Sequence, residues 1–226
     1  MNLLMCLALA SGVNALVPQA RQAQDVREGP SRLEAEPAGW VDILPGPGLE
    51  GWTRGPLPAT AQLGRAQWRV DSAAKLLICD GDGGHDWLRY DRELGDAVFH
   101  VEWRFVPVEG GTGYNSGVYI RNSADGSVWH QAQTGDAKGG FLFGSTLVGG
   151  QPQRVNLSKD VPVSRVKPAG EWNTYEVTAR GTAISLWVNG AVTCELKNLE
   201  VTRGHVGLEG EGYRIEFRNL KLKLLD

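Results

Sequence analysis

Four stretches of the sequence hold polar side chains at spacings that could do chemistry. In HVGLEGEGYRIEF, Glu209 and Glu211 stand two residues apart, so in an extended chain both carboxylates project from one side. Carboxylates held together raise each other's pKa, and such a pair can work as acid and base or hold a cation; a solvated acidic turn would have the same spacing. In VWHQAQTGDAKGGFLFG, Trp129, Gln131 and Gln133 share one phase of a period-two pattern, and His130 takes the other. An indole followed by two amides suits a sugar, because aromatic rings stack on pyranose faces and amides pair with vicinal hydroxyls. His130 is a candidate acid/base group, although a lone histidine is more often structural. In GGTGYNSGVYIRNS, a glycine-rich turn feeds Tyr114, Asn115 and Ser116 into a strand that reaches Arg121. The glycines admit close approach by a ligand, and a plain hairpin loop would look the same. No helix pattern or Gly-Lys-Ser/Thr follows, which excludes a phosphate loop. In GDGGHDWLRYDREL, Asp82, His85 and Asp86 surround a double glycine. They could bind calcium or manganese but follow no spaced ligand code.

The elements that must position these groups read as strand and turn. AVFHVEWRFVP alternates Ala97, Phe99, Val101, Trp103 and Phe105 with His100, Glu102 and Arg104, a period of two that puts an apolar row on one face. EWNTYEVTARGTAISLWVNGAVTCEL repeats the pattern through Tyr175, Val177 and Ala179, then Ile184, Leu186 and Val188, with turns at Gly181-Thr182 and Asn189-Gly190. The C-terminal run alternates through Ile215 and Phe217 and resumes at Leu220 one residue out of phase, which predicts a β-bulge at Arg218-Asn219. No window carries a sustained helical period with caps. The expected fold is all-β, a two-sheet antiparallel jelly-roll sandwich in the concanavalin A-like style, because one sheet alone would leave an apolar face in water. Trp103, Phe105, Val177, Leu186 and Phe217 are predicted to lie between the sheets.

At 226 residues the chain suffices for one large β domain. A net charge of -3 with no clustered basic stripe argues against nucleic acid as a partner. The apolar run Leu3–Val17 is too short and too interrupted for a spanning helix but fits the core of an export signal. Residues 1–20 therefore read as a signal peptide, 21–38 as a flexible polar linker making few contacts, and 39–226 as the folded domain, with secreted or periplasmic localisation. Beyond the leader only Cys79 and Cys194 remain; they could pair in an exported protein or stand as buried thiols.

Six segments in order, GWVDILPGPGLEGWT, WRVDSAAKLLICDG, GDAVFHVEWRFVP, YNSGVYIRN, EWNTYEVTARGTAISLWVNG and HVGLEGEGYRIEFRNLKLKLL, resemble the 3-keto-disaccharide hydrolase-like domain family. The resemblance spans nearly all of Gly39 to Leu225. It implies a jelly roll that acts on glycosides oxidised at C3 of the sugar. The ketone acidifies the C2 proton, a base removes it, and the C1 substituent leaves by elimination, with a divalent metal (Ca or Mn) often supplying positive charge near the enolate. Matching the motifs implies Glu211 and His130 as acid/base candidates, with Asn115, Arg121, Gln131 and Gln133 orienting a carbohydrate and Trp129 or Tyr114 at the rim of the site. Where many members read glutamate-x-glutamine, this chain reads Gln131-Ala132-Gln133. An amide there cannot act as a base, and a one-residue slip would put His130 in its place. A non-catalytic carbohydrate-binding domain and a protein-interaction sandwich are the alternatives to an enzyme.

Overall fold

The computed structural model describes residues 27–135, 138–161 and 163–225. The expected export signal lies outside them, as does the first part of the expected linker. The chain runs β1 (Arg27–Glu28), α1 (Arg32–Ala35), β2 (Val41–Asp42), β3 (Trp52–Pro56), β4 (Trp68–Asp71) and β5 (Leu76–Cys79). It continues through β6 (Asp86–Tyr90), β7 (Ala97–Phe105), β8 (Gly117–Asn122), β9 (Trp129–Gln133), β10 (Leu142–Val148) and β11 (Gln151–Asn156). A 3-10 turn at Ser158–Asp160 precedes β12 (Asn173–Arg180), β13 (Ala183–Val188), β14 (Ala191–Leu196), β15 (His205–Gly210) and β16 (Ile215–Leu224).

These strands form two antiparallel sheets. One has nine strands in the order β1-β14-β13-β12-β7-β16-β5-β4, with β2 also on β16; the other has seven, in the order β11-β10-β9-β8-β15-β6-β3. The alternating residues meet between them as expected: Trp103, Phe105, Val177, Leu186 and Phe217 are buried in one apolar cluster with Leu88, Ile120, Leu142 and Leu208 of the facing sheet. The Asn189-Gly190 hairpin joins β13 to β14, with both residues at positive φ, the geometry that matches the twist of the flanking strands. The predicted bulge is present: the β16–β7 register shifts between Arg218 and Lys221, and Asn219 has φ 52°. Cys79 and Cys194 are both free and buried, and burial pushes their thiols up to about 12 and about 11.

The expectation of a loose linker up to residue 38 does not hold from Arg27 onward. Here β1 pairs with β14, and the Trp187 indole on the outer face of the nine-stranded sheet donates to Gly29 O at 3.0 Å. Ser31 caps α1 through a reciprocal capping box with Glu34. The backbone N–H groups of Arg32 and Leu33 donate to the Glu176 carboxylate, which also meets His100 Nδ1 at 2.9 Å. Glu176 and His100 belong to the polar phase of their strands, yet each is only 3% exposed, because this segment lies over them. A polar linker can dock in this way when its backbone donors find a carboxylate, a source of affinity that hydropathy does not register. Among the described residues no helix is long and apolar enough to cross a membrane.

Candidate functional site

The face of the seven-stranded sheet turned away from the core carries a cleft of about 440 Å³. Strand parity selects its lining: Leu88, Val118, Ala132 and Leu208 point into the core, so Trp87, Tyr119, Gln131 and Glu209 point out into the cleft. Cross-strand register sets them side by side. Glu209 is opposite Trp87 on β6, Gly207 opposite Tyr119 on β8, Tyr119 opposite Gln131 on β9, and Gln131 opposite Phe143 on β10.

At the centre is the carboxylate of Glu209, only 4% exposed. His85 Nε2 lies 2.7 Å from its Oε1, Tyr119 Oη donates to the same oxygen at 2.7 Å, and Gln131 Nε2 donates to Oε2 at 2.8 Å. Burying an ionised carboxylate costs several kcal/mol even after relaxation, and hydrogen bonds to a charged group contribute about 1.5–3 kcal/mol each. The three partners therefore satisfy the Glu209 carboxylate oxygens at this depth. The amide at Gln131 is accordingly one of Glu209's partners, and a carboxylate in its place would face Glu209 with like charge.

Glu211, just past the end of β15, reaches the same cleft. Its Oε2 accepts from Asn115 Nδ2 and lies 3.9 Å from His85 Nε2, while Asn115 Oδ1 accepts from Gln133 Nε2. Burial, and next the charge of Glu209, raise the Glu211 pKa above the ordinary carboxylate value. The hydrogen bond to Glu209 raises that of His85 against the opposing effect of burial. The ligand atoms of His85, Glu209 and Glu211 all lie within 4.8 Å of one another, and one imidazole nitrogen with two carboxylate oxygens is a donor set that fits a divalent cation.

Of the residues expected from sequence, Asn115, Gln131, Gln133, Trp129 and Glu211 line this cleft. Three do not. His130 points to the opposite face of β9, fully buried between the sheets with neither ring nitrogen hydrogen-bonded. Burial holds its pKa down to about 4. The register of β9 is unslipped, with Ile120 opposite His130 and Tyr119 opposite Gln131, so His130 is excluded from the cleft by parity. Arg121 is displaced by a bulge: β15 pairs His205 with Asn122 and Gly207 with Tyr119, one residue more on β8 than on β15. Arg121 takes φ 52° and turns inward to Gly181 O and Asp96, both at 2.8 Å, and Asn122 takes the outward position. Tyr114 is buried against Phe105 and Tyr213, and its Oη accepts from Val108 N at 2.9 Å. It anchors the loop before β8.

The Asp82, His85, Asp86 group also separates. Asp82 pairs with Arg65 at the surface, Asp86 is buried against Arg54 and the Trp68 indole, and only His85 enters the cleft. Tyr119, Trp87 and Phe143 were not singled out from sequence. For Tyr119 the signal was available, since it shares the outward phase of β8 with Gly117.

The two-sheet jelly roll places the chain in the class of concanavalin A-like β-sandwich proteins, and solved structures are similar to it in fold. A candidate glycosyl hydrolase of Parabacteroides distasonis aligns with TM-score 0.57 at 16% identity, covering 89% of this chain and 100% of that one. The carbohydrate binding module CBM66 of Bacillus subtilis aligns with TM-score 0.52 at 15% identity, covering 76% and 94%. The β-glucanase of Bacillus licheniformis gives 0.51 at 14%, covering 78% and 94%. More specifically, residues 39–223 match the 3-keto-alpha-glucoside-1,2-lyase-like domain, and the chain belongs to that family. No functionally curated protein matches it in sequence.

Proposed function

We propose that this protein cleaves 3-keto-glycosides by elimination across C1 and C2, with Glu211 moving the proton and His85 stabilising the enolate. The observation that carries the reading is the convergence of His85, Glu209 and Glu211 in one cleft, where both His85 and Glu211 titrate above their ordinary values. Perturbed acid and base in a shared cleft is the pattern of a proton-transfer site.

In this mechanism the Glu211 carboxylate takes the C2 proton. The C–H electron pair becomes the C2–C3 double bond, and charge develops on the C3 oxygen. Protonated His85, held by Glu209, faces that oxygen and stabilises it electrostatically. The enolate then collapses: the C3 carbonyl re-forms, the C1–C2 double bond forms, and the C1–O bond breaks. The Glu211 carboxyl returns its proton to the departing oxygen. Addition of water across C1–C2 completes a net hydrolysis. Asn115 and Gln133, linked to each other and to Glu211, hold the sugar hydroxyls and fix the carboxylate's direction. His85 in its neutral form, Glu209 and one oxygen of Glu211 would hold a divalent cation such as Ca²⁺ or Mn²⁺, which would then supply the positive charge in place of the imidazolium.

The test is aglycone release from a 3-keto-glucoside, with and without Mn²⁺ or Ca²⁺, by the wild type and Glu211→Gln. Release by the wild type and at least a hundredfold loss in the variant, with ligand affinity kept, is the expected result. Measurable binding without release by the wild type would overturn the enzyme and leave a carbohydrate-binding domain.

A further inference from the structure

The cleft is chemically uneven, and its second half points to the leaving group. The acids and amides lie on β15, β8 and β9, but on the β10 side the wall is aromatic. Phe143 is the direct cross-strand partner of Gln131, so the two side chains stand about 5 Å apart at their β-carbons. The Trp129 ring meets Phe143 edge to face, with centroids 5.1 Å apart at 89°, and Phe141 lies 5.7 Å from Phe143 at 50°. The Arg154 guanidinium sits 4.6 Å over the Trp129 ring, which fixes the indole from outside. All three aromatic side chains remain partly exposed. Of the amides beside them, Gln131 is turned to Glu209, and the Asn122 Oδ1 accepts from His130 N at 2.9 Å.

We propose that Trp129 and Phe143 form an aglycone subsite that selects a planar aromatic leaving group, so that the substrates are aryl glycosides. The inference rests on the reading above and names the substrate class of that same site. A second sugar here could stack its apolar face on an aromatic ring, but its hydroxyls would meet a wall with few partners, and each buried hydroxyl left unpaired costs about 1–3 kcal/mol. An aromatic ring needs none and gains offset or edge contacts with Phe143 and Trp129. The cleft volume of about 440 Å³ lies in the range of sites that bury a two-ring ligand. The chemistry agrees: a phenol is a far better leaving group than an alcohol, which suits a mechanism in which one carboxyl both takes and returns the proton.

The test is calorimetric binding of phenyl and methyl glucosides, in both anomers, and of a glucose disaccharide to the full chain. Turnover of the 3-keto forms is followed in parallel, using wild type, Phe143→Ala and Trp129→Ala. Phe143→Leu serves if the alanine variant melts early. Phenyl glucoside should bind at least tenfold tighter than methyl glucoside, and the aromatic substitutions should erase that ratio. Equal affinities, a preference that survives both substitutions, or a disaccharide bound as tightly with the same sensitivity to Phe143 would each overturn the subsite. An aryl preference without turnover sinks the elimination mechanism and leaves the subsite standing; turnover indifferent to the aglycone does the reverse.

Discussion

The bare α-carbon of Gly117 lies under the side chain of Gln131, and a β-carbon there would overlap Gln131 Nε2, Cδ and Cγ. Gly117 is the cross-strand neighbour of Gln133 on β9, and its missing side chain is the space in which Gln131 reaches Glu209. Gly117→Ala is expected to push Gln131 off Glu209, lower glycoside affinity about tenfold, and cost about 1–3 kcal/mol by overpacking. Calorimetric binding and a thermal melt read both effects. Unchanged binding would show that Gln131 does not orient the ligand.

The pH dependence of turnover follows from two raised groups. Glu211 must be ionised to take the C2 proton, so kcat/KM should rise with pH through a value above the ordinary carboxylate range. His85 must be protonated, so the rate should fall again only above the ordinary histidine range. A profile of kcat/KM from pH 4 to 9 therefore gives a bell displaced to higher pH. Glu209→Gln removes the charge that raises both groups and should move both limbs to lower pH. Limbs that stay in place in that variant would remove Glu209 from the scheme.

His130 predicts the acid stability of the fold. Its folded pKa is about 4 because of burial, below the roughly 6.5 of an unfolded histidine. The unfolded chain therefore binds the proton first, and stability falls as pH drops from about 6.5 towards 4, by up to about 3 kcal/mol. His130→Leu should lose this part of the slope and be at least as stable at pH 7, since it also removes two unpaired ring nitrogens. Urea titrations at pH 7, 5 and 4 test the difference. Parallel losses in both proteins would mean that the ring is solvated.

The N-terminal segment should be released by weakening one carboxylate. In Glu176→Gln, an amide N–H₂ replaces one of the two oxygens that accept from Arg32 N and Leu33 N, leaving a donor unpaired at a cost of about 1–3 kcal/mol. Tryptic cleavage at Arg32 should accelerate severalfold with little change at the cleft, which lies on the other sheet. If cleavage is unchanged, docking depends on the β1–β14 pairing and Trp187 instead.

Periodicity determined the architecture. Trp103, Val177, Leu186 and Phe217 are buried because side chains two apart share a face, a rule that needs no partner strand to be known. The same rule placed Gln131 with Gln133 and Glu209 with Glu211, and the slip after Phe217 revealed its bulge in advance. Only the tertiary structure decided which groups meet. His85 reaches Glu209 across 124 positions of sequence, a contact fixed by the pairing of β6 with β15 that no local pattern encodes. Arg121 left the cleft because an extra residue in β8 reversed the parity after Tyr119, and within that strand no break in hydrophobic phase announced it. His130 carried a functional side chain on the core face, where parity outweighs chemistry. The polar segment from Arg27 docked through backbone donors, which are the same for every residue and so leave no mark in composition.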